Sequence, residues 1–313
     1  MTSCLLPQGV DVLERGWLSS NTVILHGANP AEGAAIVDTG YATHASQTLA
    51  LVAATLRPRE TVRLIANTHL HSDHCGGNAA LVDVYHCPIL TPPGDFQAAE
   101  RWDEQALTFA ATGQRCARFI PTGKLLPGER LRHGGLAWEI HAAPGHDPHS
   151  VMLYEPQSGT LISADALWER GFGIVFPELD GCAAFDEVDA TLKLIKRLAP
   201  RVIIPGHGAP FWGIDEALRV AHSRLKYFRE NPPRHAASAT KALTVFHVLE
   251  VSVVLEPELI NWLCATPIIQ TTHATFFREV PLEEWARTLL NDLLASETLK
   301  VQQSADGRLI HVS

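Results

Sequence analysis

The sequence predicts an α/β protein in which helices are layered on two sheets, followed by a smaller, mainly helical part. Three observations carry this. Strand-like apolar runs alternate with helical segments through residues 1–212. Four separate strand-like runs end in His or Asp, which collects polar side chains along one sheet edge. After Trp212 the strands give way to amphipathic helical stretches over residues 213–313.

The N-terminal part reads as β-rich. Asn21–Leu25 and Ala34–Val37 are strand-like, separated by the turn cluster Gly27-Ala28-Asn29-Pro30. Asp38-Thr39-Gly40 closes the second strand. A helix is expected from Thr43 to Leu56, stopped by Pro58. Val62–Ala66 reads as a buried strand and leads into Thr68-His69-Leu70-His71-Ser72-Asp73-His74-Cys75-Gly76-Gly77. A short helix is expected over Asn78–Val82, a strand over Pro88–Thr91 and a polar helix from Asp95 to Ala111. Arg130-Leu131 and Leu136–Ile140 form a hairpin around Gly134-Gly135. Val151–Tyr154 and Thr160–Ser163 form another around Gln157-Ser158-Gly159. Val188, Leu192, Ile195 and Leu198 recur at helical spacing within Asp186–Leu198, and Val202–Ile204 is a last strand.

Beyond residue 212, helices are expected over Asp215–Arg229, Thr240–Leu255, Glu256–Thr266 and Leu282–Ser296, with Asn231-Pro232-Pro233 as a break. A hairpin of Leu299–Val301 and Leu309–Val312 closes the chain. Helices followed by a two-stranded wing resemble a winged helix, a shape that commonly binds nucleic acid. Residues 213–313 hold 12 acidic and 10 basic residues, so the basic footprint of such a binder is missing. This part reads as a lid or a dimerisation element, which leaves a homodimer open.

Composition excludes several classes. The formal charge of −9 disfavours a nucleic-acid partner. No apolar run approaches the roughly 20 residues of a membrane span. Met1–Pro7 lacks a basic segment followed by a long apolar one, so no signal peptide is expected. The six cysteines are scattered without a CxxC pair, which fits reduced thiols in a cytoplasm.

The chemistry is concentrated in residues 69–74, where three imidazoles and one carboxylate occupy six positions. Imidazole nitrogen and carboxylate oxygen suit zinc, iron or manganese. His69 and His71 project to one side of an extended chain. Asp73 and His74 are adjacent and diverge once the chain turns. One ion cannot comfortably take all four from so tight a loop. Two ions roughly 3.5–4 Å apart can share them, as in hydrolytic sites that hold a bridging hydroxide. Gly76 and Gly77 let the backbone bend closely around the ions.

Four further segments complete the pattern: Val37-Asp38-Thr39-Gly40, Ala143-Pro144-Gly145-His146, Ser163-Ala164-Asp165 and Pro205-Gly206-His207-Gly208. In this chain order, with the His-rich stretch, they resemble the metallo-β-lactamase superfamily over roughly residues 20–210. The resemblance implies an αββα sandwich as a catalytic domain over residues 1–212, with residues 213–313 as a separate helical, winged-helix-like domain. It implies that His69, His71 and His146 bind one divalent ion, that Asp73, His74 and His207 bind a second, and that Asp165 bridges them. Aspartate rather than cysteine at position 165 looks like the glyoxalase II and lactonase branch. Asp38 matches a position that supports the site from behind by accepting a ligand imidazole's N–H. The implied cofactors are two divalent metal ions, zinc first, with iron or manganese as alternatives.

The implied reaction is hydrolysis of a small-molecule ester-type carbonyl, thioester ahead of lactone. Two cations lower the pKa of a bridging water toward about 7. Asp73, the implied catalytic residue, orients that water or takes its proton. The chain departs from the family after Pro144-Gly145-His146. Where the family continues with Thr or Ser, a variable residue, Gly, then Ser or His, this chain has Asp147-Pro148-His149-Ser150. Asp147 or His149 can line the pocket or stand behind a ligand; an ordinary polar turn is the preferred reading.

Singly, His146, Asp165 and His207 would pass for ordinary turn or strand-end residues; the assembled order overrides that. Cys75 is expected to serve packing, and the ten histidines outside these segments are read as non-ligands. Trp168, Phe172, Phe176 and Trp212 can wall an apolar pocket or pack in the core. Two other enzymes would keep the same ligand motifs: a mononuclear iron persulfide dioxygenase and a metal-dependent phosphodiesterase or nuclease. A binding module that holds a ligand without turnover is the alternative from another class.

Overall fold

The computed structural model describes residues 6–16 and 18–312. Met1–Leu5, on which Cys4 and most of the signal-peptide expectation fall, lie outside the described residues, as does Trp17. The chain divides into two compact units. The first contains the residues up to Phe109, Arg115–Val175 and Ala184–Leu225; the second contains Ala110–Gln114, Phe176–Ala183 and the residues from Lys226 onward.

Two sheets form the first unit. One has the order β1 (Val10–Leu13), β2 (Thr22–Leu25), β3 (Ala34–Val37), β4 (Val62–Ala66), β5 (Ile89–Thr91) and β6 (Gly123–Lys124). It begins antiparallel and becomes parallel from β3 onward. The crossovers of the parallel half carry α1 (Ala45–Thr55), then α2 (Ser72–Cys75) and α3 (Asn78–Tyr85), then α4 (Phe96–Arg101) and α5 (Phe109–Thr112). The other sheet comprises β7 (Arg130–His133), β8 (Leu136–Ala142), β9 (Val151–Glu155), β10 (Thr160–Ala164) and β11 (Val202–Pro205). Its order is β11-β10-β9-β8-β7, with only β10 and β11 parallel. The helices α6 (Phe176–Leu179) and α7 (Phe185–Leu198) lie in the chain between β10 and β11.

Alternation along the strands builds the layers. Val23, Leu25, Ala35 and Val37 face the second sheet, where they join Trp138, Ile140, Leu153, Ile162 and Ile204 in one core. Ile24, Ala34 and Ile36 point the other way and join Val52 of α1 and Leu81 of α3 in a second core. On the far side α7 buries Val188, Leu192 and Ile195, the stripe that the sequence spacing predicts. The result is the expected layering of helix, sheet, sheet and helix.

The second unit holds α9 (Pro232–Val251), α10 (Glu256–Ala265), α11 (Pro267–Phe276) and α12 (Leu282–Ala295). They accompany a three-stranded sheet of order β12-β14-β13, from β12 (Val253–Leu255), β13 (Leu299–Ser304) and β14 (Gly307–Val312). The helix α8 (Ile214–Glu230) contains the boundary at Leu225 and Lys226.

Several elements differ from expectation. Pro232-Pro233 opens α9 instead of merely ending the helix before it, because proline fits the first helical turn, where no N–H partner is lost. Residues 253–255 are strand, not helix, paired with Leu309–His311. The expected helix over Asp95–Ala111 is two short ones, separated where Trp102 and Thr108 take left-handed conformations. Strand β1, strand β6 and helix α11 carry too weak a pattern for the sequence to announce. Among the described residues, no helix is long and apolar enough to cross a membrane.

Candidate metal centre

Each site residue stands just beyond the end of a strand. After β4 the chain passes His69 and His71 in extended form and then turns into α2, which carries Asp73 and His74. That turn is clamped from below. The amide N–H of Thr39 and the side chain of Asn67 both donate to the His74 carbonyl, and Asn78 joins Asn67 to the Thr39 hydroxyl. His146 follows β8, Asp165 follows β10 and His207 follows β11.

The structure brings all seven residues together. His69, His71 and His146 form one set of donor atoms, Asp73, His74 and His207 another, and His69, His74 and Asp165 a third between them. In each set the atoms lie within 4.8 Å of one another. Asp165 faces both sides: Oδ2 is 3.4 Å from His146 Nε2, and Oδ1 is 3.5 Å from His74 Nε2. Asp73 Oδ2 is 3.1 Å from His207 Nε2. All but His207, which is partly exposed, are buried.

The protonation pattern can be derived from the partners. Asp38, in a left-handed conformation that aspartate tolerates, uses Oδ1 to accept the Thr68 amide at 2.9 Å. Its Oδ2 accepts the Thr68 hydroxyl at 2.7 Å and His74 Nδ1–H at 2.8 Å. The single hydroxyl proton of Thr68 is thereby used. His69 Nδ1, 3.1 Å from that oxygen, must be the donor, which leaves its Nε2 as a bare lone pair. His146 Nδ1 donates to the Ile174 carbonyl, so its Nε2 also faces inward. Outer partners that fix ring orientation in this way are what metal-ligating histidines require.

These residues fit a cation. His69 Nε2 is buried without a hydrogen-bond partner, an arrangement that is costly unless the lone pair is used. Burial holds the His69 imidazole well below its ordinary pKa, and the neighbouring His74, His71 and His146 push it the same way. Burial, with His146 beside it, lowers His71 to about 4. Burial would lower His74 too, but Asp165, Asp38 and Asp73 outweigh it and raise it well above the usual value. Burial would raise Asp165, yet His74 and His207 hold it well below the carboxylate range. Neutral His69 and His71 and the ionised carboxylates are the donors a divalent ion takes, whereas the carboxylates around His74 favour its charged form, so that ring would give up a proton to bind one.

The backbone is shaped to this cluster. A Cβ on Gly173 would lie 2.4 Å from His146 Nδ1. Trp168 Nε1–H donates to Asp165 Oδ1 at 3.1 Å. The sequence offers Trp168 as a pocket wall or a core residue; its spacing three residues beyond Asp165 is the signal for the hydrogen bond. Cys75 is fully buried, with Sγ 3.7 Å from Cys116 Sγ.

A family model described as the metallo-β-lactamase superfamily matches residues 15–207. The hydroxyacylglutathione hydrolase of Idiomarina loihiensis is 28% identical over 148 residues, 47% of this chain and 47% of that protein. The chain thus spans about half the length of the curated relatives it matches. Among solved structures, a β-lactamase domain protein from Burkholderia ambifaria has a TM-score of 0.59 at 19% identity. The match covers 99% of this chain and 94% of that one, and the likeness is one of fold. The protein TTHA1623, in a di-iron-bound form, has a TM-score of 0.53 at 28% identity and covers 68% of this chain and 98% of its own. The matched span holds all seven clustered residues, and the chain belongs to the metallo-β-lactamase superfamily.

Proposed function

We propose that this protein is a binuclear metal-dependent hydrolase of a small-molecule ester-type carbonyl, thioester ahead of lactone. The observation that carries the reading is the pair of donor sets joined through Asp165. The hydroxyacylglutathione hydrolase relatives favour an acyl thioester, and the di-iron form of TTHA1623 favours two ions over one. His69, His71 and His146 would hold the first ion, Asp73, His74 and His207 the second, and Asp165 both. Zinc is the first choice, with iron or manganese as alternatives. When bound, such ions supply Lewis-acid polarisation of a carbonyl and a hydroxide at neutral pH.

The chain's own residues supply the rest. Asp38, Thr68 and the Ile174 carbonyl hold three imidazoles in one tautomer. Burial would raise the Asp73 carboxyl, but the His74 charge and the hydrogen bond to His207 outweigh it and hold it below the ordinary range. Asp73 is therefore ionised at neutral pH, and it accepts the proton that the attacking water gives up.

The test is to load the protein with zinc, measure bound metal, and screen thioesters, lactones, phosphodiesters and β-lactams. Two equivalents of zinc and thioester turnover that a chelator abolishes are expected. One iron per chain with oxygen consumption on a persulfide would favour the dioxygenase reading instead. Asp73→Asn is expected to lower turnover ~10²-fold with both ions retained. Unchanged turnover would remove Asp73 from the proton transfer.

A further inference from the structure

His71 differs from its neighbours in what holds it. Its Nδ1 lies 2.8 Å from His146 Nε2, inside the donor cluster. His146 donates through Nδ1 to the Ile174 carbonyl, so its Nε2 faces the cluster as an acceptor. A cation between the two rings needs the His71 Nδ1 lone pair as well, so the His71 ring that binds it must carry its proton on Nε2.

Asp147 faces the other ring nitrogen. Its Oδ2 is 3.7 Å from His71 Nε2. The carboxylate is buried, and its Oδ1 accepts the backbone N–H of His149 at 2.8 Å, which fixes the direction of Oδ2. Ser150 pins the same turn by donating its hydroxyl to the Ala143 carbonyl at 2.6 Å. Pro148 lies between these anchors and stiffens the turn. The departure from the family motif thus places a rigidly held acceptor on the outward side of one proposed ligand.

We propose that Asp147 is a positioning residue: it stabilises the His71 tautomer that carries its proton on Nε2, leaving Nδ1 for the cation. The inference rests on the binuclear reading above and adds a residue to it. The Nε2 proton of that tautomer faces the Asp147 carboxylate, which attracts it across 3.7 Å. Carboxylate–imidazole pairs of this kind change metal affinity by about 10–100-fold. His74 and Asp38 form the corresponding pair in the other donor set.

The experiment is competition for Zn2+ between a chelator and the metal-free full-length protein, as wild type, Asp147→Ala and Asp147→Asn. Asp147→Ala is expected to weaken one of two zinc sites by about 10–100-fold and leave the other unchanged. Asp147→Asn keeps an oxygen acceptor for the His71 or His149 N–H and is expected to recover most of the loss. Circular dichroism of the metal-free variants should match wild type. Equal zinc affinity in wild type and Asp147→Ala overturns the role of Asp147 alone. Equal weakening of both sites, or an Asn variant no better than Ala, overturns it as well. A wild type that binds no Zn2+ overturns the binuclear reading and this inference together.

Discussion

Replacing Gly206 by alanine is expected to lower kcat/KM by ~10²–10³-fold and to release bound metal, while the variant still folds. The glycine follows β11 directly, and its backbone angles suit any residue, so space alone decides. A Cβ there would lie 2.1 Å from Asp165 Oδ1, 3.0 Å from His74 Cε1 and 3.1 Å from the Ala164 carbonyl carbon. The backbone cannot retreat. Gly206 N–H donates to the Ala164 carbonyl at 2.8 Å, and its own carbonyl accepts from Asn21 at 2.6 Å. Asp165 must therefore move by more than an ångström, and misplacement on that scale costs about 10²-fold even where no ligand is lost. Metal stoichiometry and steady-state kinetics on the alanine variant check this. Wild-type metal content would show that the Asp165 carboxylate is not a ligand.

Replacing Asp95 by asparagine is expected to raise stability progressively as the pH climbs from 4 to 8. Asp95 precedes α4, and one of its oxygens is buried without a hydrogen-bond partner. Burial first, and then the charge of Asp147, push its carboxyl up to about 8. In the unfolded chain it titrates near about 3.9. Below that value both states are protonated and the residue costs nothing. Between the two values only the unfolded chain ionises, so folding takes up a proton and stability falls by up to ~1.4 kcal/mol per pH unit. Above the folded value both states are ionised and the loss levels off, at about 6 kcal/mol as an upper bound. Denaturant unfolding of both proteins from pH 4 to 9 should show the gap open and then plateau. A constant gap would place Asp95 in an environment that leaves it ionised.

The layered fold was legible because its strands are short, apolar and punctuated by turn residues, and because β2, β3, β4 and β8–β11 each form a run that few other structures tolerate. Elements without such a pattern were not. β1 is half-exposed, β6 is two residues long, and α11 follows α10 across the single non-helical residue Thr266. The donor set was readable because its members are chemically unusual at strand ends. What surrounds them was not, since the partners are close in space and far apart in the chain. Thr68 reaches Asp38 from 30 positions away, and His146 reaches the Ile174 carbonyl from 28. Asp95 reads as an ordinary helix-start residue until burial and the neighbouring Asp147 show otherwise.

The chain order of the donors has a consequence for the life of the protein. Four of them follow a strand of the first sheet and three follow strands of the second. An ion seated among them would act as a rivet across the seam between two slabs that also meet through apolar contacts and a few hydrogen bonds, such as those from Asn21 to the Pro205 and Gly208 carbonyls. At a thousandfold excess over its dissociation constant it would add about 4 kcal/mol to the folded state by mass action. Scarcity of the ion would then shorten the survival of the folded chain as well as silence its chemistry.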